Sequence, residues 1–404
     1  MRGLIRLVLV PIMRVWIRVL RSGFTSIARP ADAPHAHSAG IDDDRILVFG
    51  GGPALGWGVS THALALPGSL ARALTARTRR GAYVDVVTAQ PDTLRAALAA
   101  VDGLKPWRYD AIVVTVGVNE ALTLISPRMW CRTLRELLQR IERDAFRTTQ
   151  ILVVGILPIR SIPVFDGFFG AIADRHAHAL NRETMRICEE SPRMTYVPVP
   201  ESPTGAADRD RTLLDFGHLA EVLVDSMMGR LSADSPESED ARRPAAHDAE
   251  TYERDRQRAV DGLPGAMSDE RFEHILALAR RSFGTPLAAF TVIDRDRQVV
   301  RASVGPRPIP VSRADSFCAT TIRGRGPLVV QDARSDVRFR ESSLVTGKAQ
   351  VRFYAGYPIE SQSGERIGAL CVLDRKPRRM SKADLVLLRE FAMLLQRELW
   401  LAAE

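Results

Sequence analysis

The sequence predicts two folded parts of different class: an α/β domain on a parallel sheet, then an α+β domain on an antiparallel sheet. Three observations predict this. From Arg45, short apolar runs alternate with stretches of helical periodicity, the pattern of a parallel sheet covered on both faces. Residues 232–263 then turn polar and acidic, with few large apolar groups, and read as a linker with at most a short helix. From 264 the strands come in pairs joined by short turns, with helices at both ends, the pattern of hairpins. The chain has 404 residues, room for two or three domains, and its 46% apolar content lets each bury a core.

The expected organisation is a basic helix over 1–30, an α/β domain over 40–231, the acidic linker over 232–263 and the second domain over 264–404. The net charge is +8, and the first thirty residues carry six arginines and no acid, so the excess sits in a tail rather than over the whole surface. No nucleic-acid partner is expected. Arginine far outnumbers lysine, which is the coding bias of a GC-rich, bacterial genome. The four cysteines lie far apart in the chain, with no zinc-type or disulfide-framework spacing. That predicts no metal, a reducing compartment and a cytoplasmic location.

In MRGLIRLVLVPIMRVWIRVL the unbroken apolar run, Leu7 to Met13, is too short to span a bilayer. Arg2, Arg6, Arg14, Arg18 and Arg21 fall on one side of a helix, and Leu4, Ile5, Val8, Ile12, Val15 and Val19 fill much of the other. Pro11 would kink it. Two readings lead: the helix docks on its own domain, or residues 1–29 lie on an anionic membrane surface, at the inner face of the membrane; a secretion signal or true anchor is the remaining one. Residues 29–40 read as a loop.

Strand-like runs follow at 46–50, 83–89, 110–117, 150–157 and 194–199, with helical periodicity at about 61–79, 92–103, 130–146, 170–190 and 218–231. Function in such sheets sits at the carboxyl ends of the strands. There the chain reads FGGGPALGWGV after the first strand and VGVNEALTLISP after the third, with DFGH just before the last helix. The glycines do not form a phosphate loop: no Lys-Ser/Thr pair follows, and a third glycine of the dinucleotide type would be needed at Leu55. His176 and His178 are two apart on a helix, share no face, and read as a solvated pair rather than metal ligands.

The order and spacing of these motifs over 40–231 resemble the SGNH (GDSL-type) hydrolases. The resemblance implies a three-layer α/β/α sandwich and an ester hydrolase site. It places Asn119 at the oxyanion-hole asparagine, and Asp215 and His218 at the orienter and base. The family's Gly-Asp-Ser is here Gly50-Gly51-Gly52, so Gly52 stands where the nucleophilic serine should be. Pro91 lies at or beside the second oxyanion donor and has no N–H to give. Ser60 and Thr61 lie two helical turns on, about 12 Å away, beyond the reach a triad needs. A water-activated reaction on Asp215 and His218 alone remains a further reading. The resemblance therefore implies a catalytically degenerate domain, with an active esterase as the alternative.

In the second domain a helix, DERFEHILALARRSF, precedes the hairpin LAAFTVID–RDR–QVVRASVG. Then come SFCATTI, PLVVQDARSDVRFRESSLVTG, VRFYAGYPIES and ERIGALCVLD. The closing helix begins near 382, capped by Ser381 with Asp384 at its third position. Residues 266–402 resemble a GAF domain, which implies an antiparallel sheet with a small-molecule pocket on one face, and pairing as dimers. The resemblance points to Phe317, Cys318, Val330, Asp332, Arg352, Phe353, Tyr354 and Cys371 as lining. The bland readings stand beside it: buried cysteines act as small hydrophobes, and Asp332 and Arg352 can form an ion pair with each other. No cofactor is named by any motif. Leu385, Leu388, Phe391, Ala392, Leu395 and Leu399 make a stripe on the last helix that serves either the core or a homodimer helix pair. The leading expectation is a signalling sensor or scaffold; the rival is a GAF-regulated esterase.

Overall fold

Continuous apolar runs become strands buried on both faces, and the periodic segments between them become the covering helices. The computed structural model describes residues 3–24, 28–40, 44–146, 148–199, 215–231, 246–263, 270–306, 309 and 311–402. The chain forms two units, one from residues 1–38 and 44–243, the other mainly from residues 244–404.

The first unit runs α1 (Gly3–Phe24), β1 (His35–Ser38), β2 (Asp44–Gly50), α2 (Leu66–Thr78), β3 (Ala82–Thr88), α3 (Leu94–Ala100), β4 (Ala111–Thr115), α4 (Val118–Leu122), α5 (Pro127–Asp144), β5 (Gln150–Val154), α6 (Phe168–Cys188), β6 (Met194–Val197) and α7 (Phe216–Leu231). The sheet order is β1-β3-β2-β4-β5-β6. Strands β2 to β6 are parallel, and β1 is antiparallel to β3. Every residue of β4 and β5 is buried, which is why these runs read as continuous rather than alternating. Ile112 and Val114 face one core with Leu134, Leu138, Ala173 and Leu180 of α5 and α6. Ala111 and Val113 face the other with Leu66, Leu70, Leu219 and Leu223 of α2 and α7. This is an α/β domain with helices on both sheet faces.

Two expectations for this unit need correction. Residues 35–38, read as loop, form the edge strand β1, paired from His35↔Asp85 to Ser38↔Ala82. His-Ala-His-Ser has no apolar run to announce a strand; the ladder with β3 supplies the structure. Helix α1 docks on its own unit, but not by the stripe singled out in the sequence. Met13 is fully buried, and Leu9, Val10, Trp16, Ile17 and Leu20 pack on the core. Trp16 lies 5.5 Å from Phe165 and 5.6 Å from Phe169, ring to ring. Ile12, Val15 and Val19 point outward.

The second unit runs α8 (Ala246–Asp261), α9 (Glu270–Phe283), β7 (Leu287–Asp294), β8 (Arg297–Val304), β9 (Val311–Ser312), α10 (Phe317–Thr321), β10 (Leu328–Val330), α11 (Ser343–Thr346), β11 (Phe353–Glu360), β12 (Arg366–Asp374) and α12 (Lys382–Leu401). Its sheet, β10-β11-β12-β7-β8-β9, is antiparallel throughout. Helices α9 and α12 cover one face through Phe272, Leu276, Leu388 and Leu395. Helix α10 and the segment around Phe339 cover the other. The capping box of Ser381 and Asp384 forms as its spacing predicts.

Residues 246–261, read as linker, form a helix of 16 residues anchored to this unit. Arg256, 1% exposed, donates to both carboxylate oxygens of Glu253 and to the carbonyl of Ile293 at the end of β7. Arg313 reaches Glu253 from the other side. Burial alone would raise the Glu253 carboxyl, but the two guanidiniums outweigh it and hold it down at about 2. Ala259 and Val260 pack on the core, but much of the anchoring is by hydrogen bonds and ion pairs, which hid the segment from an apolar-pattern reading. Of the expected linker, residues 232–245 lie outside the described residues.

Candidate functional site

Strand β2 ends at Gly50, and the chain turns over the sheet end through Gly51 and Gly52. Gly51 donates its N–H to the carbonyl of Thr115, at the end of β4 (2.6 Å). Gly52 has φ +55°, and its N–H points at Asp92 Oδ2, 3.4 Å away. Asp92 follows β3 and comes from TAQPDT, the block expected to supply an oxyanion donor. What it supplies instead is a carboxylate. Burial raises its pKa, partly offset by the Gly52 N–H and by Arg29.

Asn119 lies in α4, just past the end of β4. Its side-chain Nδ2 donates to the backbone carbonyl of Asp92, so this amide ties α4 to the segment after β3. Glu120, beside it, is 5% exposed. Its Oε1 accepts the N–H of Leu94 at the start of α3 (2.8 Å), while Oε2 has no hydrogen-bond partner among the described residues. Burial, reinforced by the charge of Asp92 and opposed by the Leu94 bond, pushes this carboxyl up to about 7. The sequence reading missed both acids, although each directly follows a residue it did name, Pro91 or Asn119.

Asp215 and His218 do not make an orienter–base pair here. Asp215 Oδ1 accepts the backbone N–H of His218 (3.0 Å), as an N-terminal cap of α7. The His218 ring has its Nδ1 3.9 Å from Glu221 Oε2. Among the described residues, no hydrogen bond links either one to Gly52, Asp92 or Asn119. The hollow beside Gly52, walled by Pro53, Thr115, Val118 and Ile156, holds about 10 Å³, room for one water at most. A much larger concavity of about 610 Å³ lies away from the strand ends, between Arg128, Arg132 and Arg135 of α5 and Glu183 of α6.

An acid–imidazole contact does form elsewhere. His62, before α2, places Nδ1 2.8 Å from Asp32 Oδ1, and its backbone N–H also reaches that carboxylate. His176 and His178 are not a solvated pair. His176 is buried, with Nε2 2.8 Å from the Ile125 carbonyl, whereas the exposed His178 lies 3.7 Å from Asp174.

In the second unit the sequence-predicted lining residues divide. Phe317, Cys318, Val330, Tyr354 and Cys371 share one core. Phe317 stacks between Phe339 and Tyr354, with ring centroids 4.3 and 5.0 Å away. The Tyr354 hydroxyl lies 2.6 Å from Thr321 Oγ1 and donates to Cys318 Sγ at 3.4 Å; Cys318 and Cys371 have their sulfurs 3.8 Å apart. Contact with Cys318, then burial, pushes the Cys371 thiol well above the ordinary range. Phe353 is a correction: it faces the helix-covered core on the other side of the sheet, because successive strand residues point to opposite faces. Arg352 and Asp332 pair with each other through two hydrogen bonds, which fixes the turn after β10 to the start of β11. The space under α10 is thus filled by three stacked rings and two thiols.

Residues 268–399 match the family described as GAF domain. The chain is 44% identical over 145 residues to a cyclic di-GMP phosphodiesterase of Pseudomonas aeruginosa, an alignment covering 35% of this chain and 25% of that protein. The chain therefore spans about a quarter of that relative's length. Among solved structures, a putative GAF sensor protein from Burkholderia vietnamiensis aligns at 18% identity and TM-score 0.28, over 38% of this chain and 97% of that one. TesA aligns at 18% identity and TM-score 0.35, over 46% of this chain and 98% of that one. No described helix is long and apolar enough to cross a membrane. Residues 268–399 are a GAF domain, carried on the same chain as an α/β domain with a mostly parallel sheet.

Proposed function

We propose that this chain is a signalling sensor or scaffold, cytoplasmic, in which the GAF domain responds to a small molecule or pairs two copies. The α/β domain is an SGNH-like frame that has lost ester hydrolysis and serves as a binding or output surface. The observation that carries the second half is the strand end at Gly52. Acyl transfer needs a nucleophile and free oxyanion donors. Here the nucleophile position has no side chain, the Asn119 amide is spent on the Asp92 carbonyl, Asp215 caps a helix, and the hollow admits one water. Partial identity to a cyclic di-GMP phosphodiesterase supports a signalling role for the other half. The GAF domain is read as beginning near residue 244, since α8 is anchored to it by Arg256.

The test has two parts. Full-length protein should show no turnover of short-chain p-nitrophenyl esters and no labelling by a fluorophosphonate; stoichiometric labelling of any serine would restore the esterase reading. A metabolite thermal-shift screen should find a ligand that stabilises the protein, by about 2.7 kcal/mol at 100 times its dissociation constant. The stacked rings under α10 must open to admit it, so a hit should weaken in Tyr354→Ala.

A further inference from the structure

Helix α1 has two apolar faces, and among the described residues the fold packs on one. Leu9, Met13, Trp16 and Leu20 take the core side. At 100° per residue, Ile12, Val15 and Val19 fall together on the neighbouring side, where they are 42%, 63% and 68% exposed. Arg14 and Arg18 come next around the helix, and no acid pairs with either among the described residues. Phe168, at the start of α6, adds to this surface. It is 77% exposed, and its ring lies 5.5 Å from Phe169, which itself touches Trp16, the residue bordering Ile12 and Val19 on the helix. An outward aromatic and an aliphatic row beside unpaired arginines make an amphipathic surface of the interfacial kind.

We propose that this surface, the outer face of α1 together with Phe168, seats the first unit on an anionic phospholipid bilayer. The aliphatic row and Phe168 enter the headgroup boundary, and Arg14 and Arg18 meet the lipid phosphates. Charge selects this occupant over a second copy of the chain. Pairing two such faces would oppose arginine to arginine, and the first thirty residues contain no acid to relieve it. It also resolves the two readings of the sequence, because one face docks on the domain while the other remains for lipid.

The experiment is co-sedimentation of the full-length protein with vesicles of phosphatidylglycerol mixed into phosphatidylcholine, against phosphatidylcholine alone. Binding is expected only to the anionic vesicles and should fade between 50 mM and 500 mM salt, as the screening length shortens. Arg14→Ala and Arg18→Ala should each weaken partitioning about fivefold. Ile12→Asp with Val15→Asp, and separately Phe168→Ser, should abolish it with an unchanged melting curve, since these side chains are exposed. No sedimentation with anionic vesicles at low salt overturns the proposal. So does binding that survives Ile12→Asp with Val15→Asp, and so does self-association through this face in place of vesicle binding.

Discussion

Asp92 holds its carboxylate in the space that a side chain on Gly51 would need: a Cβ there would lie 1.4 Å from Asp92 Oδ1. The middle glycine of the strand-end turn is therefore required by its neighbour. Gly52 is different, since a Cβ on it would find only Val118 Cγ2, at 3.6 Å.

Gly52→Ser should consequently fold. It places a side chain in the left-handed region at φ +55°, a cost of about 1–2 kcal/mol, or a few degrees in melting temperature. It should not restore ester hydrolysis, because Asn119 stays tied to Asp92 and Pro91 offers no donor. Gly51→Ala should be worse folded than Gly52→Ser. Ester turnover by Gly52→Ser at ordinary enzymatic rates would show that the donors are still in place.

Glu120 should make the first unit lose stability as pH rises. Its carboxyl titrates near 7 in the folded chain, against an ordinary 4.5, so between these values the folded state holds a proton that the unfolded state has released. Stability then falls with rising pH across that window, by up to about 1.4 kcal/mol per pH unit, and levels off above it. Asp44, raised to about 6 by burial despite Arg80, acts in the same direction. The difference between wild type and Glu120→Gln in denaturant melts from pH 4.5 to 8 isolates Glu120: the variant should be the flatter of the two.

Glu253→Ala should destabilise the second unit by about 3 kcal/mol, because it strands the buried Arg256. Glu253 is itself partly exposed, so the low end of the range for broken buried pairs applies. The carboxyl is held down, so its contribution is full above the ordinary glutamate range and is lost as pH falls towards 2. Urea melts of residues 244–404 at pH 7 and pH 3 should show the wild type and variant converging in acid. Equal stability at pH 7 would mean that α8 is not part of the fold.

Much of this was legible because burial writes itself into sequence. The all-buried β4 and β5 read as unbroken apolar runs, and the hairpin β7–β8 is marked by its polar turn, Asp294 to Arg297. The misses have a common cause. Strand β1, helix α8 and the acids Asp92 and Glu120 are positioned by hydrogen bonds and ion pairs from distant segments, and no local pattern records those. The GAF resemblance puts both Phe353 and Tyr354 in the pocket, although alternation along a strand sends neighbours to opposite faces.

Pairing of two copies through α12 is expected to use Leu387, Leu394 and Leu401, which are 37%, 49% and 49% exposed, and not Leu388 or Leu395, which are fully buried. In light scattering, Leu394→Glu should yield a monomer with an unchanged melt, whereas Leu395→Glu should fail to fold. A dimer that persists in Leu394→Glu would place the contact elsewhere.

Those three leucines recur every seven residues on a helix of 3.6 residues per turn. Such a row is not parallel to the helix axis; it drifts about 20° per heptad. Two copies of α12 can keep all three leucines in register only by winding about one another with a left-handed twist. The seam would then be chiral, and a change in helix crossing angle would convert into rotation of one GAF domain against its twin. A pair joined this way has a mechanical coordinate, torsion about the seam, along which events under α10 could be read out at a distance.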